Sequence, residues 1–149
     1  MLLYLHGFAS GPSSTKARHF ADTFLRLGVP IAVPALDEGD FEHLTLSRQL
    51  RLVERLAAAL PAPRILVGSS MGGYLAALYA ARHPVEALVL MAPAVDFARR
   101  WREHLGDEEL ERWRREGSAE VDHHAQRRKA RISFELMRDA EQLEPWPAV

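Results

Sequence analysis

Short apolar runs alternate with segments of helical periodicity over residues 2–91, and this alternation constrains the fold more than any other feature of the sequence. The runs cover residues 2–5, 30–34, 64–67 and 87–91. Apolar side chains between them recur at three- and four-residue spacing, which predicts a helix after each of the first three runs. Right-handed crossovers between such units cover both faces of a parallel sheet. The sequence therefore predicts an α/β fold, a mostly parallel sheet with helices on both faces.

The segment 97–144 differs from the rest of the chain, because it carries dense mixed charge and no β-branched run. This pattern predicts helices, one over 107–116 that ends at Gly117 and another over about 133–143. No linker or repeat separates the segment from the preceding residues. We therefore interpret 1–149 as a single domain in which 97–144 is a helical cap.

Length and composition exclude several classes of protein. A chain of 149 residues is long enough to fold around one core, and it has no cysteine for a disulfide, a thiolate metal site or a cysteine nucleophile. The 19 basic and 20 acidic residues give a net charge of -1, which favours neither nucleic acid nor an anionic membrane as a partner. No apolar stretch is long enough for a membrane span and no secretion signal is evident, so we expect a cytoplasmic protein.

The third apolar run leads into Gly68-Ser69-Ser70-Met71-Gly72, which matches the pattern G-x-S-x-G. In this pattern a serine occupies a strained turn between a strand and a helix, where neighbouring side chains would collide. The run before Ser70 and the alanine-rich helical segment after it supply that context. Ser70 is therefore the candidate nucleophile, and Gly68 and Gly72 are its required neighbours.

His6-Gly7-Phe8 ends the first apolar run, next to the strand that carries the serine. A glycine here lets the backbone turn, so that the Phe8 and Met71 amides together form a candidate oxyanion hole. Such donors stabilise the charged oxygen of a tetrahedral acyl intermediate. We interpret His6 as a histidine held by backbone groups at the end of the strand, and not as the catalytic base.

LLYLHGFASGPSSTKA at the start and ILVGSSMGGYLAALYA in the middle resemble the α/β-hydrolase superfamily, in particular its small bacterial YqiA/YcfP-like esterases. The resemblance implies Ser70 as nucleophile, Phe8 and Met71 in the oxyanion hole, and hydrolysis of carboxylic esters or thioesters without a cofactor. It also implies that the segment after Phe97 covers an acyl pocket. The substrate would be a small-molecule or acyl-protein ester or thioester.

The catalytic base and acid are harder to place. In the superfamily they follow a further strand in the order Ser, Asp, His, whereas this sequence ends at 147–149, about where that strand should begin. We therefore expect the amino-terminal part of a longer hydrolase. The internal candidates are Asp96 as acid and His123 or His124 as base, and the two histidines lack the spacing of a metal site.

Two further questions stay open at this stage. The run 87–91 would form an apolar sheet edge, which a longer chain, the cap or a second copy in a homodimer would cover. Aromatic residues line an acyl pocket or belong to the core (Phe8, Phe41, Trp101 and Trp113). The sequence leads to three hypotheses about function. The main hypothesis is a serine hydrolase acting through an acyl-enzyme on Ser70, and the alternative is a noncatalytic binding module that keeps the turn without base or acid. The third hypothesis is a perhydrolase or a C–C bond hydrolase on the same scaffold.

Overall fold

A computed structural model describes residues 1–143, 146 and 147 and shows a parallel sheet of four strands. The strands are β1 (Leu2–Leu5), β2 (Ile31–Ala32), β3 (Ile65–Ser69) and β4 (Ala87–Met91). Their order across the sheet is β2-β1-β3-β4, and every neighbouring pair is parallel. The predicted mostly parallel α/β sheet is confirmed.

The helices within the described residues are α1 (Thr15–Arg26), α2 (Leu46–Ala59), α3 (Met71–Ala80), α4 (Phe97–Leu105), α5 (Asp107–Glu116) and α6 (Glu135–Ala140). α1 begins after Ser14, whose hydroxyl accepts a hydrogen bond from the Ala17 amide. It ends before Gly28, which has a φ of +70° and so takes the left-handed conformation that glycine adopts without strain. Local capping signals therefore set both ends of this helix.

Successive side chains of β1 face opposite layers of helices. Leu2 and Tyr4 pack in a cluster with Ala17 of α1, whereas Leu3 and Leu5 belong to the larger core with α2 and α3. The chain moves one way from β1 to β2 and the opposite way from β2 to β3. Since crossovers are right-handed, reversing the direction places α1 on one face and α2 and α3 on the other.

The interpretation of 97–144 as purely helical is wrong. After α5 the chain forms β5 (Ser118–His123) and β6 (Arg128–Ser133), which pair antiparallel as a hairpin. Half-buried Ala119 and Val121 alternate with exposed acidic residues in β5, and buried Ala130 and Ile132 alternate with exposed basic residues in β6. A period of two is the signal for a half-buried strand. It was obscured because these strands contain few β-branched residues.

The hairpin is fixed to the helices around it. The indole N–H of Trp113 in α5 donates to the carbonyl of Ile132 at 3.0 Å. α6 is shorter than the predicted helix over 133–143, and its Asp139 accepts a hydrogen bond from the amide of Ser47 at the start of α2, at 2.8 Å. The cap is thus a mixed layer of helices and a hairpin docked on α2.

β4 lies at an edge of the sheet, as expected from the strand order. Among the described residues no strand pairs with its outer side, and the side chain of Val89 is 47% exposed. The cap therefore does not cover this edge. In the described part of the chain no helix is long and apolar enough to cross a bilayer.

Candidate active site

Ser70 occupies a strained turn between β3 and α3. Its φ of 54° and ψ of −121° belong to a region that residues with a side chain rarely adopt. The neighbouring backbone maintains this conformation, since the Ser70 amide donates to Met91 and its carbonyl accepts from the Tyr74 and Ala94 amides, all at 3.0–3.1 Å. Ser70 is nevertheless exposed. Strain held in this way at an accessible polar residue is typical of functional sites.

The two glycines of the motif are required by close backbone approaches. A Cβ atom on Gly68 would lie 2.3 Å from the carbonyl oxygen of Gly72. A Cβ atom on Gly72 would lie 2.1 Å from the carbonyl oxygen of Leu5. Both distances are far below van der Waals contact, so the turn can form only if these positions lack a side chain.

The adjacent serines face different surroundings. Ser69 is only 6% exposed, and its hydroxyl accepts a hydrogen bond from the Lys16 ammonium group of α1 at 2.9 Å. Ser70 is exposed. Of the two hydroxyl groups in the motif, the one at position 70 is therefore the one available to a ligand.

Ser70 lies where the strand order reverses. The chain leaves β1 towards one side of the sheet and leaves β3 towards the other, and crevices at such points bind ligands in open α/β sheets. The ideal Cβ position of Gly7, just after β1, lies 3.2 Å from the Ser70 Cβ and 3.7 Å from its hydroxyl oxygen. The fold thus brings Gly7, the middle residue of His6-Gly7-Phe8, against the serine. The oxyanion roles of Phe8 and Met71 stay predictions.

Both ring nitrogens of His6 contact backbone groups. Nδ1 lies 3.0 Å from the carbonyl oxygen of Gly7, and the amide of Leu36, after β2, donates to Nε2 at 3.3 Å. The side chain is only 4% exposed. His6 is thus a buried link between the ends of β1 and β2.

The internal candidates for acid and base lie in three different environments. Asp96 directly precedes α4, pairs with Arg99 at 2.8 Å and lines a cavity of about 420 Å³. His123 ends β5 and is 2% exposed, and His124 is exposed in the hairpin turn, so neither lies in a helix as expected. Within residues 1–143, 146 and 147, no hydrogen bond joins the Ser70 hydroxyl to an imidazole or a carboxylate.

The burial of His123 is the feature of this region that the sequence did not reveal. Its Nδ1 accepts a hydrogen bond from the Gln126 amide at 3.3 Å, and its ring packs 4.7 Å from that of Phe41. Nε2 has no partner among the described residues. Burial lowers the pKa of His123 below its ordinary value of 6.5, and burial lowers the pKa of His6 in the same way. Both histidines are neutral at neutral pH.

Replacing His123 with phenylalanine is expected to maintain or raise stability at neutral pH and to make it less dependent on pH. The change removes a buried polar atom without a partner, while the Gln126 amide keeps its 3.1 Å bond to the His123 carbonyl. In the wild type the unfolded chain binds a proton at His123 before the folded chain does, so stability falls as the pH drops below 6.5. Urea unfolding of the wild type and the variant, at neutral pH and at pH values below 6.5, would measure both the stability and its dependence on pH. An unchanged pH dependence would contradict the prediction.

An aromatic-walled cavity of about 310 Å³ lies between the hairpin and the cap helices. The ring of Phe8 packs edge-on against Trp101 at 5.0 Å, and Trp101 packs against Trp113 at 5.5 Å. Phe41 instead packs between Phe8 and His123. The apolar lining consists of Phe8, Trp101, Leu105, Trp113, Ala119 and Val121.

A parallel sheet with a serine on a glycine-flanked turn at its switch point defines the α/β-hydrolase fold, and solved structures of this class are similar to the chain. Est1E from Butyrivibrio proteoclasticus, with ferulic acid bound, matches 97% of the chain at 22% identity and a TM-score of 0.71. Alpha/beta hydrolase domain-containing protein 10 from mouse matches 94% at 21% identity and a TM-score of 0.69. A protein of Xanthomonas campestris, described as an α/β-superfamily hydrolase, matches 62% at 36% identity and a TM-score of 0.53.

The family of the chain follows from its sequence. Residues 1–143 match the family described as uncharacterised protein family UPF0227, and the chain belongs to this family within the α/β-hydrolase superfamily. No curated protein matches it. The chain spans 61%, 60% and 57% of the lengths of the Est1E, mouse and Xanthomonas proteins.

Proposed function

We propose that the protein is a serine hydrolase that cleaves carboxylic esters or thioesters through an acyl-enzyme on Ser70. The observation that carries the proposal is the exposed Ser70 hydroxyl on a strained turn at the switch point of the sheet. A function that uses the hydroxyl explains why the fold maintains this conformation and excludes side chains at Gly68 and Gly72.

In the proposed reaction, the Ser70 oxygen attacks the acyl carbonyl while a base takes its proton. The carbonyl oxygen becomes negative and accepts hydrogen bonds from the Phe8 and Met71 amides, and the positive end of α3 adds to their effect. The bond to the leaving group then breaks, and the leaving oxygen or sulfur takes the proton from the base. Water repeats these steps on the acyl-enzyme and releases the acid.

We place the base and the acid outside the described residues. No imidazole is bonded to Ser70 within them, Asp96 is paired with Arg99, and the Nδ1 of His123 is occupied by the Gln126 amide. The similar structures are longer than this chain. A histidine and an aspartate that follow Ser70 in chain order, as in the superfamily, would complete the triad.

The aromatic cavity supports a substrate with an apolar acyl group. Phe8 lines the cavity and also supplies a proposed oxyanion amide, so this one residue connects the cavity to the proposed reaction site. Ferulic acid, the ligand of the similar Est1E structure, is itself an aromatic acid. We propose esters of aromatic or medium-chain acids as the substrate class.

Replacing Val121 with phenylalanine is expected to reduce activity on bulky esters selectively. The added ring would fill part of the cavity and exclude a hexanoyl or benzoyl group but not an acetyl group. The expected change is a loss of about tenfold or more in kcat/KM for p-nitrophenyl hexanoate relative to the acetate, since one or two methylenes in such a pocket are worth that much. The acetate is the internal control, and an unchanged ratio would place the acyl group elsewhere.

The alternative function is a noncatalytic binding module, which is favoured because no imidazole among the described residues is hydrogen-bonded to Ser70. Incubation with a fluorophosphonate probe, followed by intact mass and peptide mapping, separates the two. A hydrolase gains one adduct, confined to Ser70, and the adduct persists in a Ser13→Ala control, since Ser13 is an exposed serine in the loop before α1. A folded protein that includes the proposed base and acid but gains no adduct, or gains one at Ser69, contradicts the hydrolase.

A further inference from the structure

The hydrogen bonds of His6 fix its tautomer. The Gly7 carbonyl can only accept, so Nδ1, which lies 3.0 Å from it, is the protonated nitrogen. In a neutral imidazole Nε2 is then unprotonated and accepts from the Leu36 amide at 3.3 Å, while the carbonyl of Pro34 also lies beside the ring. The ring therefore connects a fixed amide after β2 to one particular carbonyl after β1.

That carbonyl belongs to the same peptide unit as the amide of Phe8. A peptide unit is planar, with its C=O and N–H directed to opposite sides. The bond that holds the Gly7 oxygen therefore also sets the direction of the Phe8 N–H. Gly7 rotates more freely than other residues, so this peptide depends on an external anchor. A hydrogen bond to the carbonyl also polarises the unit and strengthens its N–H as a donor.

The anchored peptide lies against the nucleophile. The ideal Cβ position of Gly7 is 3.2 Å from the Ser70 Cβ. We infer that His6 is a positioning residue for the oxyanion hole, in which its Nδ1–H orients the Gly7–Phe8 peptide towards the carbonyl that Ser70 attacks. This inference rests on the proposed function. His6 is only 4% exposed, so it acts through the peptide and not on the substrate.

Two amide side chains separate the two bonds of the ring. In His6→Asn the side-chain nitrogen takes the place of Nδ1 and can donate to Gly7, but nothing reaches Leu36. In His6→Gln the side-chain oxygen reaches the place of Nε2 and can accept from Leu36, but the Gly7 carbonyl is left free. Each variant therefore loses one hydrogen bond of the ring: His6→Asn loses the bond to Leu36, and His6→Gln loses the bond to Gly7.

The inference expects a difference in kcat between these variants. Losing an oxyanion donor costs about 10²- to 10³-fold in kcat, so His6→Gln should lose about tenfold or more through misorientation, with KM within about threefold. His6→Asn should keep kcat within about threefold of the wild type. p-Nitrophenyl butyrate hydrolysis supplies both constants, and thermal unfolding verifies that each variant is folded. A merely structural role predicts equal kcat for the two folded variants, and that result would overturn the inference.

A second readout does not require turnover. Long-range ¹H–¹⁵N spectra of the wild type should show His6 protonated on Nδ1 alone, and the Phe8 amide resonance should shift in His6→Gln but hardly in His6→Asn. A proton on Nε2, or an equal shift in both variants, overturns the inference whatever the activity. A wild type that shows the expected spectra but neither hydrolyses esters nor labels at Ser70 overturns the proposed function, and the catalytic role of His6 with it. If the wild type is active and His6→Gln has the same kcat as the wild type, only the inference about His6 is overturned.

Discussion

Replacing Ser70 with alanine is expected to lower kcat/KM for p-nitrophenyl esters by about 10⁴-fold or more, because no other group can form the acyl-enzyme. The other serine of the motif is buried and bonded to Lys16, so it cannot substitute. Initial rates at substrate concentrations far below KM measure the loss. An alanine variant that keeps more than about a tenth of the activity would exclude the acyl-enzyme, since such losses are the rule for nucleophiles.

A glycine at the same position supplies a matched control for folding. Ser70→Gly and Ser70→Ala both lack the hydroxyl and should be equally inactive. Only glycine adopts a φ of 54° with a ψ of −121° without strain. The free energy of unfolding of the glycine variant should therefore exceed that of the alanine variant by about 1 kcal/mol. Urea unfolding of the pair measures this difference, and equal stabilities would show that the turn is not strained.

Replacing Gly72 with alanine is expected to destabilise the protein by about 3 kcal/mol or more, since overpacking at this level exceeds what small shifts relieve. The new methyl carbon would lie 2.1 Å from the Leu5 carbonyl oxygen and 2.5 Å from that of His6. These atoms belong to the last residue of β1 and the residue after it, which cannot move without displacing the candidate oxyanion loop. Activity and stability should therefore fall together.

Gly11→Ala is the control for this prediction. A Cβ atom there would meet only the Ala125 side chain, at an ordinary 3.6 Å. We expect its free energy of unfolding to stay within about 1 kcal/mol of the wild type, as for most changes without a named mechanism. Chemical unfolding of both variants tests the difference. If Gly72→Ala is as stable as Gly11→Ala, the close approach of α3 to β1 is incorrect.

The core of the fold was predictable because its signals are local. Apolar runs and capping residues such as Ser14 and Gly28 mark the elements of the parallel sheet, and the spacing of Gly68 and Gly72 around Ser70 marks the turn. The right-handedness of crossovers then supplies the two-faced arrangement.

The remaining features depend on tertiary contacts that leave little trace in the sequence. The inward-facing side chains of the β5-β6 hairpin include only two that are β-branched, Val121 and Ile132, so its alternation resembles that of a charged helix. His123 lies next to charged Asp122 in the chain, yet its own ring is buried against Phe41. The bond between the Leu36 amide and His6 joins residues that are 30 positions apart. Such a contact becomes visible only once β1 and β2 are placed side by side.

The cavity and the reactive turn come from separate stretches of the chain. Residues within 101–129 supply the cavity walls apart from Phe8, whereas the turn and its neighbours come from 6–8 and 68–72. Substitutions in the first stretch can therefore change which molecules are accepted without disturbing the strained serine. Related proteins with this arrangement can therefore differ in substrate range while they keep the same reaction. Among the residues that line the cavity, only Phe8 also belongs to the proposed reaction site, so a substitution there would affect both.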